Sequence, residues 1–444
     1  MRPVAPHARV VRHRVPGGPR RVVVWMLPAI VVFTAPIAIN YATRDTDKTS
    51  GPIQLTVFWW GGEKRAELTQ KALDLYEEKH PGVTFKTTWQ GNSGYYDKLA
   101  TQAAGGRAPD IFQIDDNALS EYASRNITLD LSGYVARKQI DLGRFPESLA
   151  KYGQVDNRTV AIAAAENTPA MVYDKTLVTQ LGVPAPKTGM SWDALIDWAA
   201  TITQRTGGKT YGTMDPSADY KALWMWLRQQ NKELYDDRQL GFTAQDLTRW
   251  FELWQGARAR RAAPPADIIH AANGGDVTKQ LVVTKQAATS FMWSNQVPEL
   301  SKGTNHELAI VAYPGNPSAQ WARASMYWAA YRGTPHRDTV ADVIDFLVND
   351  PEAGRILGTE RGLNPNRDVL KAVSTTLDST GRIAVAFETD MAARFGPAPV
   401  PPPKGHGQIR TLLTQAAESV QYGRATPAAA AEQFVRQAQG VLGN

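Results

Sequence analysis

The stretch Ile111–Ile114 (IFQI) runs directly into Asp115-Asp116. Carboxylates at the C-terminal end of a parallel strand sit where open α/β sheets bind ligands. Two chemistries are open to them. Glycoside hydrolysis needs two carboxylates roughly 5–9.5 Å apart across the scissile bond, which sequence neighbours seldom achieve. Accepting hydrogen bonds from sugar hydroxyls is simpler, and capping of a following helix is the structural alternative. The chain also carries 13 tryptophans. Trp59 and Trp60 precede Gly61-Gly62, Trp224 and Trp226 lie in KALWMWLR, Trp293 follows the apolar run Ala287–Met292, and Trp328 lies in SMYWAAY. An indole face is flat and apolar, and a pyranose presents a flat patch of C–H groups rimmed by hydroxyls. Stacked rings with a few convergent polar side chains therefore suit a carbohydrate. Trp192, Trp198, Trp250 and Trp254 recur at helical spacing and read as core. Trp59 or Trp60 and Trp293, at strand ends, read as site residues.

Other chemistries are excluded by what is missing. There is no His-Glu-x-x-His and no Gly-x-Ser-x-Gly, and Gly207-Gly208-Lys209-Thr210 has Thr203 where a phosphate loop needs its first glycine. The seven histidines have no metal-ligand spacing, and the cysteine count is zero, which removes disulfides, thiolate zinc sites and thiol catalysis. No metal or redox cofactor is indicated. Lys and Arg number 49 against 43 Asp and Glu, a net charge of +6. Arg2, Arg9, Arg12, Arg14, Arg20 and Arg21 all precede the first acid, Asp45, so the remainder is close to neutral. That balance argues against nucleic acid as a partner.

The elements that must position these residues follow from pattern. Ile53–Trp59, Val83–Trp89 and Ile111–Ile114 read as strands, Glu63–His80 and Asn92–Ala104 as helices between them. Strand, helix, strand, helix, strand implies βαβ units and a mostly parallel sheet. Val160–Ala165 and Ala170–Tyr173 read as further strands. Ser191–Gln204, with Ser191 as cap, Ala222–Gln230, Leu247–Arg261 and Thr339–Leu347 read as helices. Residues 396–405 (GPAPVPPPKG) form an extended proline-rich connector, and a last helix starts at Pro427. At roughly 100–200 residues per domain, 444 residues make two to four domains.

Residues 22–39 (VVVWMLPAIVVFTAPIAI) carry no charge and follow the arginine-rich stretch. This is the pattern of an export signal or, at the lower end of the roughly 17–25 residues a span needs, a membrane anchor. Residues 1–44 are therefore expected to direct the rest of the chain outside, either anchored on the outer face of the cytoplasmic membrane or periplasmic or secreted.

The run LTVFWWGGEKRAELTQKALDLYEEKHPGVTFKTTW, followed by YYDKLATQAAGGRAPDIFQID, resembles the extracellular solute-binding proteins of ABC importers, family 1, carbohydrate-uptake type. NITLDLSGYV, VAIAAAENTPAMVYDKTLV, KQAATSFMWSNQVPEL, MYWAAYRGTPHRDTVADVIDFLVNDPEAGRIL and RGLNPNRDV resemble later segments of that family, in order, from about residue 53 to the end. The resemblance implies an α/β, two-lobed periplasmic-binding-protein-like fold with the ligand cleft between the lobes and several crossing segments. Lobe one would hold 53–162 with 327–360, lobe two 163–326 with 361–444. It implies a carbohydrate, a mono- or oligosaccharide, passed to ABC permease subunits by a monomeric, non-catalytic chain. Trp59, Trp60, Glu63, Arg65 and Asp116 would face the cleft from lobe one. Glu166, Asn167, Trp224, Trp226, Trp293 and Asn295 would face it from lobe two, with Trp328, Arg361 and Asn364 near the crossings. Family relatives that bind glycerol phosphodiesters or polyol phosphates supply the alternative, with Arg65 and Arg361 as phosphate readers. An exported carbohydrate-active enzyme using Asp115, Asp116 or Glu166 is a more distant one. Gram-positive members usually carry a lipid-anchoring cysteine, and this chain has none.

Overall fold

The β-branched and aromatic runs become strands, and the amphipathic stretches between them cover the resulting sheets. The computed structural model describes residues 51–272 and 277–443. The apolar run at 22–39 lies outside the described residues. Among those described, no helix is long and apolar enough to cross a membrane.

The first sheet contains β1 (Ile53–Trp60), β2 (Val83–Gln90) and β3 (Ile111–Ile114). A small hairpin, β4 (Gln154–Val155) with β5 (Arg158–Thr159), leads into β6 (Ile162–Asn167), and β7 (Pro169–Asp174) follows at once. A second hairpin is β8 (Tyr235–Asp236) with β9 (Gln239–Leu240), and the remaining strands are β10 (Thr289–Trp293), β11 (Leu308–Ala312) and β12 (Arg323–Ala330). The first sheet has the order β2-β1-β3-β12-β6 and the second β10-β7-β11. Each sheet anchors one lobe of a two-lobed solute-binding fold.

The first sheet differs from the mostly parallel expectation. β1 runs parallel to β2 and β3, but β12 is antiparallel to both β3 and β6. A helical crossover produces a parallel neighbour. β12 instead arrives from β11 in the other sheet through 313–322, which holds only the single 3-10 turn Pro317–Ala319, and so enters the sheet antiparallel to its neighbours. The second sheet is antiparallel throughout, with β7 buried on both faces between β10 and β11.

Helices form where the apolar spacing demanded them. Glu63–Lys79 buries Ala66, Thr69, Ala72, Leu73 and Tyr76 on one face. Trp192–Arg205 is capped by Ser191, whose Oγ accepts from the Ala194 N–H at 3.1 Å. The second helix starts at Tyr95 rather than Asn92, because Gly94 sits at φ +71, a left-handed conformation that holds the preceding residues in a turn. The helix expected at Ala222–Gln230 runs from Tyr220 to Arg228, set by Asp219, whose carboxylate accepts from the Lys221 N–H at 2.9 Å. Helices Arg337–Asn349 and Pro351–Leu357 return to the first lobe, and Ser379–Ala392 packs against β11 in the second. The last two helices, His406–Gln421 and Pro427–Leu442, pack on Ala244–Ala259. The chain passes between sheets at Thr168, through 313–322, and again through 358–366, where Glu166 and Leu363 exchange backbone hydrogen bonds of 2.7 and 2.9 Å.

Candidate functional site

Strand β12 begins with an arginine, and a guanidinium at the start of an otherwise apolar strand needs a partner. The Arg323 Nη2 lies 2.6 Å from Asp116 Oδ2, and its Nη1 donates to Asn167 Oδ1 at 3.3 Å. Asp116 opens the helix Asp116–Ser124 after β3 and is itself buried. It accepts from the Tyr327 hydroxyl at 2.6 Å and from Tyr152 at 3.4 Å. Burial pushes the Asp116 carboxyl above the usual carboxylate range, against the pull of Arg323 and Tyr327. Burial also works against the Arg323 charge, but Asp116 outweighs it and holds the guanidinium above its ordinary value. Capping alone does not explain Asp116: it is one half of a buried, hydrogen-bonded ion pair.

Arg323 carries this pair to the other lobe. Its guanidinium lies 4.6 Å from the ring centre of Trp293, at the end of β10. Lys221 lies 5.0 Å from the same ring, and Arg410 lies 4.8 Å from the ring of Tyr220. Cation–ring contacts of this kind fix ring orientation as well as adding attraction. Asp116, Tyr152, Trp224, Trp293, Trp321, Arg323 and Pro402 enclose a gap of about 10 Å³, room for about one water. Trp293, Tyr220 and Lys221 also border a much larger cavity of about 550 Å³, within the range of small-molecule sites. Its walls add Asp215, Asp219, Gln280, Gln296, Arg410, Thr411 and Thr414. Asp219 pairs with Lys221 at 2.7 Å, and Asp215 pairs with Arg258. The walls thus offer hydroxyl, amide and paired charged groups around the three aromatic rings of Tyr220, Phe291 and Trp293. Beneath them His406 accepts from or donates to the Tyr235 hydroxyl at 2.7 Å. Burial, with Arg410 and Arg323 nearby, pushes His406 down to about 3.

Of the residues expected from sequence, Asp116, Trp224 and Trp293 come together at this place, and Asn167 touches it through Arg323. The others sit elsewhere. Trp59 and Trp328 are 1% exposed and belong to the core of the first lobe. Trp60 is buried against Tyr95 and Tyr96, with ring centres 5.0 and 5.7 Å away. Arg361 is buried over Trp328 at 4.9 Å and donates to Gln113 and Thr69 at 2.9 and 2.8 Å. Arg65 donates to the carbonyls of Trp60 and Glu360. Neither arginine borders either cavity. Glu63 is exposed on the first turn of its helix, where a carboxylate suits the dipole. Glu166 is buried and held by Arg367 at 2.6 and 3.1 Å. Asn364 is buried and accepts from the Asn366 N–H at 2.8 Å. Asn295 follows Trp293 by two residues, with its side-chain oxygen buried and without a hydrogen-bond partner. Trp226 packs on Trp250, ring centres 5.6 Å apart, while Trp224 packs on Trp321 at 5.0 Å.

Tyr220, Lys221, Tyr152, Trp321, Arg323 and Arg410 were missed by sequence reasoning. A signal existed for two of them. Tyr220 and Trp224 are four apart on one helix and must share a face, whereas Trp226 is two further on and points away. Arg323 is the cation that opens the apolar crossing strand.

Residues 71–378 match the sequence profile of bacterial extracellular solute-binding proteins. A binding protein of Brucella abortus (strain 2308) is 23% identical over 403 residues, covering 88% of this chain and 94% of the relative. A family 1 extracellular solute-binding protein from Alicyclobacillus acidocaldarius is 26% identical, with a TM-score of 0.75 over 89% of this chain and 100% of that one. A periplasmic oligogalacturonide binding protein from Yersinia enterocolitica is 21% identical, with a TM-score of 0.73 over 88% and 99% of the two chains.

Proposed function

The chain belongs to the bacterial extracellular solute-binding proteins, and from that premise we propose that it binds a carbohydrate between its lobes and delivers it to the permease subunits of an ABC importer, without catalysing a reaction. The observation that carries this reading is Trp293. It stands at the end of a strand of one lobe, is only partly buried, and is reached by Arg323, whose partner Asp116 belongs to the other lobe. A ligand resting there contacts both lobes, and only a ligand with more contacts in the closed state can favour closure. The adjoining 550 Å³ cavity mixes aromatic faces with amide, hydroxyl and paired charged groups, which suits a mono- or oligosaccharide. The similarity to an oligogalacturonide binding protein points the same way. In this reading the lobes are 53–162 with 327–360 and 163–326 with 361–444, the chain acts as a monomer, and residues 1–44 export or anchor it. Arg65 and Arg361 are committed to interior contacts, so the two arginines that the phosphate-ester alternative relied on do not serve it.

The test is a thermal-shift and tryptophan-quenching screen of the purified chain against mono- and oligosaccharides, with glycerol phosphodiesters in parallel. A ligand that binds only the folded state at 100 times its Kd adds ~2.7 kcal/mol. A response confined to one saccharide class supports the proposal and names the cargo. A response to phosphodiesters alone, or to no sugar in a broad panel, overturns it.

A further inference from the structure

Two carboxylates are fully buried where the lobes join. Glu166 is the penultimate residue of β6 and exchanges backbone hydrogen bonds with Leu363 of the returning chain. Glu388 lies on the helix Ser379–Ala392 and is 0% exposed. One guanidinium, Arg367, serves this cluster, and both of its hydrogen bonds, 2.6 and 3.1 Å, go to Glu166. Glu388 receives only two hydroxyls. Thr168 Oγ1 donates at 2.7 Å from the segment that crosses between the lobes, and the Ser294 hydroxyl donates to the other carboxyl oxygen. Ser294 is the residue after Trp293. It and Thr168 are bonded to each other as well, the Ser294 N–H to the Thr168 carbonyl at 2.9 Å and the Thr168 N–H to Ser294 Oγ at 3.1 Å. Glu388 therefore grips both the crossing segment, through Thr168, and the ledge carrying Trp293, through Ser294.

We propose that Glu388 is a positioning residue that carries a proton in the folded chain and, through Thr168 and Ser294, holds the Trp293 ledge in register with the crossing between the lobes. A second buried negative charge beside Glu166, with no guanidinium of its own, has only two hydroxyls and the Arg367 bonded to its neighbour to set against its desolvation. Burial first, then the Glu166 charge, pushes the Glu388 carboxyl up to about 8 against the donation of Ser294 and Thr168. Burial likewise raises Glu166, opposed by Arg367. The other charged residues on the helices packed here, Glu299, Lys302, Asp368 and Lys371, are solvent-exposed, as are Arg382 and Asp390 on the Glu388 helix itself. When Glu388 ionises, the two carboxylates repel across the crossing and the ledge loses its register. The consequence for a ligand rests on the cleft reading above, but the device is testable in the ligand-free chain.

The experiment is the pH profile of tryptophan emission and of the thermal midpoint between pH 5 and 10, for the native chain, Glu388→Gln and Glu166→Gln. In the native chain the emission changes with a midpoint near 8. A carboxyl raised from its ordinary value to about 8 on folding makes stability fall as pH rises from about 4.5 to about 8, after which its contribution is flat. Relative to Glu388→Gln, which keeps the shape and cannot ionise, the native midpoint falls by a few degrees across that window. Glu166→Gln removes the neighbouring charge and moves the emission transition at least one pH unit lower. If Glu388→Gln follows the native profile in both readouts, the proposal is overturned. If Glu388→Gln does not fold, an unmoved transition in Glu166→Gln overturns it equally. A failed sugar screen with these pH shifts intact would count against the cleft reading alone.

Discussion

The two sides of the cleft solve different problems. On the side of the first sheet, Asp116, Arg323, Tyr327 and Tyr152 bond to one another around a gap of about 10 Å³. On the second, Tyr220, Lys221, Gln280 and Arg410 surround about 550 Å³. The first wall is satisfied and closely packed, so its residues have a single arrangement. The second has room and pairs its charges locally, so its residues can rearrange around what enters. A change in the first wall should therefore cost stability, and a change on the ledge between the walls should cost affinity.

The sharpest way to break this contrast is Arg323→Ala. It leaves Asp116 buried with two tyrosine hydroxyls and no counter-charge. Removing one partner of a buried ion pair costs about 3–5 kcal/mol, which chemical denaturation would read directly. Adding Asp116→Asn to Arg323→Met should recover most of that loss, since two neutral partners leave no uncompensated charge. A double variant as unstable as the single one would mean that packing, rather than the pair, holds this wall.

The second wall has one fixed point, and pH exposes it. His406 begins the helix that carries Arg410, Thr411 and Thr414 and is bonded to Tyr235. Its value in the folded chain is about 3, below an unfolded value of about 6.5. The unfolded chain therefore binds the extra proton between these limits. Stability should be complete above about pH 6.5 and fall as pH drops toward 3, by on the order of 2 kcal/mol at pH 5. His406→Gln should flatten that acid limb in urea titrations. An unchanged limb would assign acid sensitivity to other groups.

Trp293 separates affinity from stability. Trp293→Ala should weaken the saccharide found in the screen at least tenfold, about 1.4 kcal/mol, with a small change in thermal midpoint because the ring is only partly buried. Trp226→Phe should leave affinity unaltered, since that ring faces Trp250. Equal losses from both variants would mean that the site lies elsewhere on the helix Tyr220–Arg228.

Much of this was legible from residue patterns. The strands β1, β2 and β3, the helices between them and the cap at Ser191 follow from periodicity and local chemistry, and the order of the family-like segments carried the two-lobed fold. The site was legible only in part. Asp116 and Trp293 stood out by their position at strand ends. Arg323 did not, because its role depends on β12 lying between β3 and β6, a long-range pairing that no local pattern encodes. Trp59 and Trp60 have the right type and place, but both are buried, Trp60 beneath Tyr95 and Tyr96 of the second helix. Arg361 reads as a donor to a ligand until its partners, Gln113 and Thr69, are brought in from more than 200 residues away.

The smallest effect concerns the proline-rich segment 396–405. Its five prolines lack N–H donors and keep the backbone extended. Gly396 is tied to the Gln320 carbonyl at 2.8 Å, and Arg228 donates to the Pro397 carbonyl at 2.7 Å. A side chain at 396 would meet the Ser318 carbonyl oxygen at 2.0 Å. The segment is thus fixed at its start to the second lobe, and Pro402 borders the narrow gap. The Ser120 hydroxyl, on the helix that Asp116 opens, donates to the Pro402 carbonyl at 3.0 Å. This bond joins the close-packed wall to the roomy one. Ser120→Ala removes it and leaves an acceptor that water can reach when the lobes part. A neutral hydrogen bond of this kind is worth about 0.5–1.5 kcal/mol. The loss should fall on the closed form alone, so ligand release should speed up a few-fold while association and the ligand-free thermal midpoint stay constant. A slower association rate instead would place Ser120 in the entry of the ligand rather than in the hold on it.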